Sequence, residues 1–311
     1  MNNNSSNNIG GNRLTALLGE GVVLFDSAMG TSIIAAGALN LGESTGRVNV
    51  DAPGVIKDIH LRNIEAGCDV ITTNTFGSHP GGEGGAGDPG AEEEALRAGV
   101  RIARKAAAEA MAPGGAAGGR RVFTALDIGP VGGIIGMTND MTHDEAIEIF
   151  AQTVGIGAGE GADLILIETM ADIAEALDAI TAARAESDLP VICTMTFDAG
   201  GRTFMGVSPD EFVKAALEAG ADAVGANCSV GPDEMLPIAE AIVKAAGGAP
   251  VLVQPNAGQP RMGKGAEVYY DVTPEGFADG VFKMIEAGAA LVGGCCGTTP
   301  DMIAYLKRRI M

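Results

Sequence analysis

The chain has 311 residues, with 40 acidic side chains against 20 basic ones and a net charge of −20. That balance excludes a nucleic-acid binder, which needs basic stripes to displace phosphate counterions, and argues equally against binding anionic membranes. Hydrophobic residues make up 46% of the chain, enough for a substantial core, and no run of about 20 apolar residues is present to span a bilayer.

The N-terminal stretch MNNNSSNN lacks the basic start and apolar run of a signal peptide, and a flexible polar tail is expected over 1–15. Five cysteines without an export signal fit a cytoplasmic compartment with reduced thiols. Beyond the tail, short β-branched runs alternate with Ala-rich amphipathic stretches. Strands are expected at Val22–Phe25, Asp69–Thr72, Val122–Leu126, Asp163–Ile167, Val191–Met195, Ala221–Ala226, Pro250–Gln254 and Ala289–Val292. Helices are expected at Val55–Ala66, Ala91–Ala110, Thr142–Gly159, Ile173–Ala185, Pro209–Ala219, Pro232–Ala246 and Pro274–Ala287. Thr142 with Glu145, and Ser208 before Pro209, are helix-start signals. The recurring Ala-Gly ends, as at Ala219-Gly220, suit a left-handed C-cap. Eight strands alternating with helices predict an α/β fold, a (β/α)8 TIM barrel over 16–311, with a doubly wound open sheet as the alternative. Gly81–Gly90 and Pro113–Gly119 read as surface loops.

A barrel carries its active site at the C-terminal ends of its strands. The residues following the expected strands include Asp26-Ser27-Ala28-Met29-Gly30-Thr31, Asn74-Thr75-Phe76-Gly77, Asp127-Ile128-Gly129-Pro130, Glu168-Thr169, Asn227-Cys228, Pro255-Asn256-Ala257-Gly258 and Gly293–Pro300. Carboxylates, amides and three of the five cysteines collect at one end. Three thiolates favour Zn²⁺ over Mg²⁺ or Ca²⁺, and three protein ligands leave a position open, as in catalytic zinc sites. Cys228 is far in sequence from Cys295-Cys296, but barrel strands six and eight bring them close across strand seven. A vicinal cysteine pair alone is equally compatible with packing in a Gly-rich turn or with a redox disulfide. Cys68 and Cys193 lie in or beside apolar strands and read as structural. His60 reads as an ordinary helix residue, His79 and His143 as solvated loop residues, and Met137 and Met141 as loop packing.

These strand-end motifs, with Gly-Gly-Cys-Cys-Gly-Thr and an upstream Asn-Cys the most specific, resemble the zinc-dependent homocysteine S-methyltransferase family. The likeness is greatest to the homocysteine-binding domain of cobalamin-dependent methionine synthase and runs from about residue 20 to the C-terminus. It implies a (β/α)8 barrel with Cys228, Cys295 and Cys296 as catalytic zinc ligands. It further implies that Asp26 and Glu168 hold the amino group of homocysteine and that backbone amides at Ala28 and Met29 hold its carboxylate. Asn256 would supply an oxygen to the metal before substrate arrives. Two departures touch the mouth of the site: Ser27 stands where Gly is usual, and Thr72-Thr73 precede Asn74 where relatives often carry an acid.

The resemblance leaves the methyl donor to be read from the residues. The corrinoid signature Asp-x-His-x-x-Gly is absent: Asp58-Ile59-His60 is followed by Asn63 where Gly is required. The expectation is therefore methylcobalamin carried by a partner protein and not held tightly by this chain. Betaine or sulfonium donors such as S-methylmethionine and S-adenosylmethionine are the alternative, and such cations favour aromatic cages. Trp is absent, and Tyr269 and Tyr270 are the aromatics available after strand seven. Two further readings remain: a zinc-binding partner module inactive alone, and a thiol redox protein using Cys295-Cys296.

Overall fold

The computed structural model describes Leu14 and residues 21–39, 43–82, 88–138, 140–263 and 268–311. The tail expected over 1–15 falls outside these residues except for Leu14, which is buried. The Gly-rich loop expected at Gly81–Gly90 falls partly outside them.

The barrel strands are β1 (Val23–Leu24), β2 (Val70–Thr72), β3 (Phe123–Ile128), β4 (Leu164–Met170), β5 (Val191–Met195), β6 (Ala223–Asn227), β7 (Val251–Gln254) and, after a small antiparallel hairpin of β8 (Arg261–Met262) and β9 (Val268–Tyr269), β10 (Leu291–Val292). All eight barrel strands are parallel, in the order β1-β10-β7-β6-β5-β4-β3-β2. A single bridge, Phe25 to Val70, closes β1 against β2. Side chains complete that seam: Leu24 N–H donates to Asp69 Oδ2 (3.1 Å) and Thr72 N–H to Asp26 Oδ2 (2.8 Å). The closed sheet makes this a TIM barrel, and the open-sheet alternative is set aside.

The ten helices are α1 (Met29–Ala35), α2 (Val48–Asp51), α3 (Pro53–Ala66), α4 (Pro89–Met111), α5 (His143–Gly159), α6 (Ile173–Glu186), α7 (Pro209–Ala219), α8 (Pro232–Ala246), α9 (Pro274–Glu286) and α10 (Pro300–Ile310), counted among the described residues. Six begin with Pro in the first turn, where the missing N–H costs nothing. Thr142 and Glu145 form the expected reciprocal cap on α5, and Ser208 with Glu211 the one on α7. Gly220 closes α7 at φ 106°, a conformation strained for any residue with a Cβ. The short helices α1 and α2, the hairpin and α10 go beyond the expected elements.

Side chains alternate along each strand between two cores, as the two-residue pleat requires. Val23, Phe25, Leu164, Leu166, Ile192 and Leu252 fill the barrel interior. Leu24, Ile165, Ile167, Cys193, Val253 and Val292 face the surrounding helices. The interior parity continues upward into polar residues: Ala125 leads to Asp127, Leu166 to Glu168, Ile192 to Thr194 and Leu252 to Gln254. The upper layer of the barrel is therefore polar where its lower layers are aliphatic. No helix among the described residues is long and apolar enough to cross a membrane.

Candidate active site

Cys228 follows β6, and Cys295 and Cys296 lie in the turn after β10. Strand β7 separates them, and its end ties all three in place. Cys228 N–H donates to Gln254 C=O (3.0 Å), Cys295 N–H to Pro255 C=O (2.9 Å), and Ala257 N–H to Cys296 C=O (2.9 Å). The sulfurs of Cys228 and Cys296 are 3.8 Å apart and those of Cys295 and Cys296 are 4.0 Å apart. All three lie within 4.8 Å of one another, and none is in a disulfide. Sulfurs each about 2.3 Å from a tetrahedral Zn²⁺ would lie about 3.8 Å apart, so the donor set and its spacing suit that ion. The Cys295 and Cys296 thiols support a thiolate on Cys228, lowering its pKa, and Cys296 is in turn pushed up to about 12.

The backbone here is strained. The non-glycine residues with positive φ among those described are Thr169 (61°), Cys228 (63°) and Ser229 (59°), all at this end of the barrel. Such conformations persist only where surrounding contacts over-determine them. At Gly297, φ is 79° and an added Cβ would lie 2.2 Å from the Tyr270 ring, so the turn carrying Cys295-Cys296 closes against that aromatic.

Beside the sulfurs lies a cavity of about 350 Å³, lined by Asp26, Asp127 and Glu168 among others. Both oxygens of Asp26 accept from Thr72, Oδ2 from its N–H and Oδ1 from its hydroxyl, each at 2.8 Å. Burial nevertheless pushes the Asp26 carboxyl up to about 7. Burial, then the neighbouring Cys228 and Asp26, raise Glu168 to about 8. Asp127 is held well above the usual range by burial and by Glu168 and Asp26. Three acids in one cavity wall cannot all ionise without a cation. Asp127 was not among the expected site residues; the interior parity of β3 is the signal that identifies it.

Asn227, the residue before Cys228, is the second group missed. Its buried amide joins three strands. Oδ1 accepts from Thr169 N–H and Thr194 Oγ1, both at 2.8 Å. Nδ2 donates to Thr169 Oγ1 (2.7 Å), approaches Glu168 Oε2 at 3.4 Å and reaches Cys295 Sγ at 3.9 Å.

The remaining expected residues are also at this end. Asn256 is buried, hydrogen-bonds Cys228, and its Oδ1 has no partner among the described residues. Ala28 N–H donates to Thr298 Oγ1 (3.0 Å), whereas Met29 begins α1, whose N-terminus has no side-chain cap. Cys68 and Cys193 are buried in the helix-facing core, as expected. Three expectations are corrected. His79 is not solvated: it is buried edge-on to Phe150 with Nδ1 3.3 Å from Thr153 Oγ1, because the loop after β2 folds under α5. His143 is solvated as expected, but it opens α5 instead of lying in a loop, and its Nδ1 pairs with Asp178. Met137 is 65% exposed, while Met141 does pack against the core.

The homocysteine S-methyltransferase family model matches residues 23–310. The chain belongs to that family. It is 34% identical over 303 residues to a methionine synthase of Mycobacterium leprae and 33% identical over 304 residues to that of Mycobacterium tuberculosis. These alignments cover 93% of this chain but only 24% and 25% of the relatives, so the chain spans about a quarter of their length. Among solved structures, the metallated form of the homocysteine methyltransferase MmuM from Escherichia coli superimposes with a TM-score of 0.79 at 25% identity, covering 96% of this chain and 99% of that one. In this member of the family the cysteine cluster and the acidic cavity lie side by side at the mouth of the barrel.

Proposed function

We propose that the chain transfers a methyl group to the thiolate of L-homocysteine, giving methionine, with Cys228, Cys295 and Cys296 holding Zn²⁺. The carrying observation is the juxtaposition of three free sulfurs at tetrahedral spacing with a buried acidic cavity. An amino-acid thiol matches this pairing: the cavity is suited to its ammonium group and the sulfur cluster to its thiol.

Bound zinc would supply a Lewis acid that lowers the pKa of a coordinating thiol. The chain's own residues do the rest. Asp26 and Glu168 would accept from the substrate ammonium group, whose charge relieves the repulsion between them. Met29 N–H, in the uncapped first turn of α1, would receive the substrate carboxylate; Ala28 N–H is already given to Thr298. Asn256, with its unpartnered Oδ1, would complete the donor set before substrate enters.

For the donor we favour a methyl-corrinoid carried by a partner protein. Phe76 is the one aromatic lining the cavity among the described residues, too few for a cage around a quaternary ammonium or sulfonium ion. Tyr269 is exposed, and Tyr270 is committed to the cysteine turn. Five free thiols suit a reducing compartment such as the cytoplasm.

The test is methionine formation from homocysteine and free methylcobalamin by protein confirmed to hold one zinc. Product appearing with loss of the methyl-corrinoid spectrum supports both acceptor and donor class. Product formed only with betaine or a sulfonium donor overturns the donor reading, and no product with any donor overturns the acceptor.

A further inference from the structure

Asp127 is the acid that the reaction as drawn leaves without a task. It lies in β3 on the barrel interior, two residues above Ala125. Its backbone is fixed on both sides: Asp127 N–H donates to Thr73 Oγ1 (3.0 Å), and its C=O accepts from Thr75 Oγ1 (2.7 Å). These two threonine hydroxyls are themselves 2.7 Å apart. The side chain is 6% exposed and lines the cavity, and its Oδ1 has no hydrogen-bond partner among the described residues.

A buried carboxyl oxygen without a partner is costly, and native structures keep one chiefly where a ligand completes it. The neighbours narrow the ligand. Asp26 and Glu168 are the other acids on the cavity wall, and both act electrostatically on Asp127. Asp26 has both oxygens occupied by Thr72, and Glu168 has only the long contact from Asn227. A wall of three acids calls for a cation. A primary ammonium group has three N–H donors, one for each carboxyl group.

We propose that Asp127 is a third acceptor for the substrate's ammonium group and sets the preference for α-amino thiols over thiols that lack the amino group. This rests on the homocysteine reading above. Removing its charge weakens substrate binding and leaves the sulfur chemistry alone, because Asp127 does not touch the cysteines.

The experiment uses the full chain loaded with zinc and compares wild type with D127N. Calorimetric titration gives affinities for homocysteine and for 4-mercaptobutyrate, the same thiol acid without the amino group. D127N is expected to bind homocysteine about 10- to 100-fold more weakly, the range for hydrogen bonds to charged groups. Its affinity for 4-mercaptobutyrate should be unchanged or improved, and its zinc content unchanged. In turnover with methylcobalamin the KM for homocysteine should rise while kcat stays within about twofold, the signature of lost uniform binding. Equal homocysteine affinity in wild type and D127N overturns the Asp127 assignment alone. Failure of wild type to bind homocysteine overturns the homocysteine reading and this proposal with it. If D127N does not fold, D127S is the replacement variant under the same criteria.

Discussion

Asn227 holds Thr169 at two points, accepting from its backbone N–H at 2.8 Å and donating to its hydroxyl at 2.7 Å. Thr169 is thereby kept at φ 61°, and Glu168 is carried on the residue just before it. The same amide reaches the cysteine cluster, so one buried side chain sets both ends of the site. Asn227→Ala would leave Thr169 N–H and Thr194 Oγ1 without their partner. A loss of about 1–3 kcal/mol in unfolding free energy is expected, with weaker homocysteine binding. Urea denaturation checks the first and titration the second; a variant as stable as wild type would overturn the account.

Thr169 itself separates strain from bonding. A β-branched residue in the left-handed region is held there against about 1–2 kcal/mol of local strain. Thr169→Ala removes the hydroxyl bond and keeps the strain, whereas Thr169→Gly removes both. The glycine variant should therefore be the more stable of the two by about 1 kcal/mol. Denaturant midpoints decide it, and an alanine variant equal to or above the glycine variant would show that φ is not strained.

The cysteines divide into two groups. Cys228→Ser, Cys295→Ser and Cys296→Ser should each lose zinc and methyl transfer together, since a hydroxyl is a poor replacement for a thiolate in this donor set. Cys68→Ala and Cys193→Ala should retain both and lose only packing stability, being buried in the helix-facing core. Metal analysis beside an activity assay separates the groups. A Cys296→Ser protein with full zinc and full turnover would refute the assignment.

Glu175 offers a pH test away from the cysteine cluster. It is buried in α6, accepts from Val131 N–H at 2.8 Å, and burial pushes its carboxyl up from 4.5 to about 7. Between those two values the folded protein keeps a proton that the unfolded chain has released. The stabilising contribution is thus fully present at the acid end and is lost as pH rises towards about 7. Glu175→Gln retains the acceptor for Val131 and removes the linkage. Relative to wild type, the variant should gain stability between pH 4.5 and pH 8 in urea unfolding. Parallel pH profiles would count against it.

Much of the fold was legible because local signals agree with one another. β5, α7 and α8 fall on their expected residues, each with Pro at its N-terminal end. Other boundaries move by one or more residues, as at β3, which runs on to Ile128 because Asp127 faces inward as part of the strand. The helices α1 and α2 escaped notice because they are too short to show a period. The cysteine cluster was readable because thiols are rare and strand order is regular. Asp127 and Asn227 were not singled out: in a sequence, an acid or amide at a strand end is hard to tell from a loop residue. Only strand parity, fixed once the register is known, shows them to be internal. His79 was misjudged because a histidine between Ser and Pro carries no trace of the helix that will cover it.

The seam between β1 and β2 has a consequence for motion. One bridge and two aspartate side chains fasten it, and one of those aspartates, Asp26, also lines the ligand cavity. A cation entering the cavity favours the ionised form of Asp26, which is the better acceptor for Thr72 N–H. Filling the cavity therefore tightens the hoop, and emptying it loosens the seam that a single bridge holds. Amide hydrogen exchange at Thr72 becomes a gauge of occupancy, slow when the cavity is filled and faster when it is vacant.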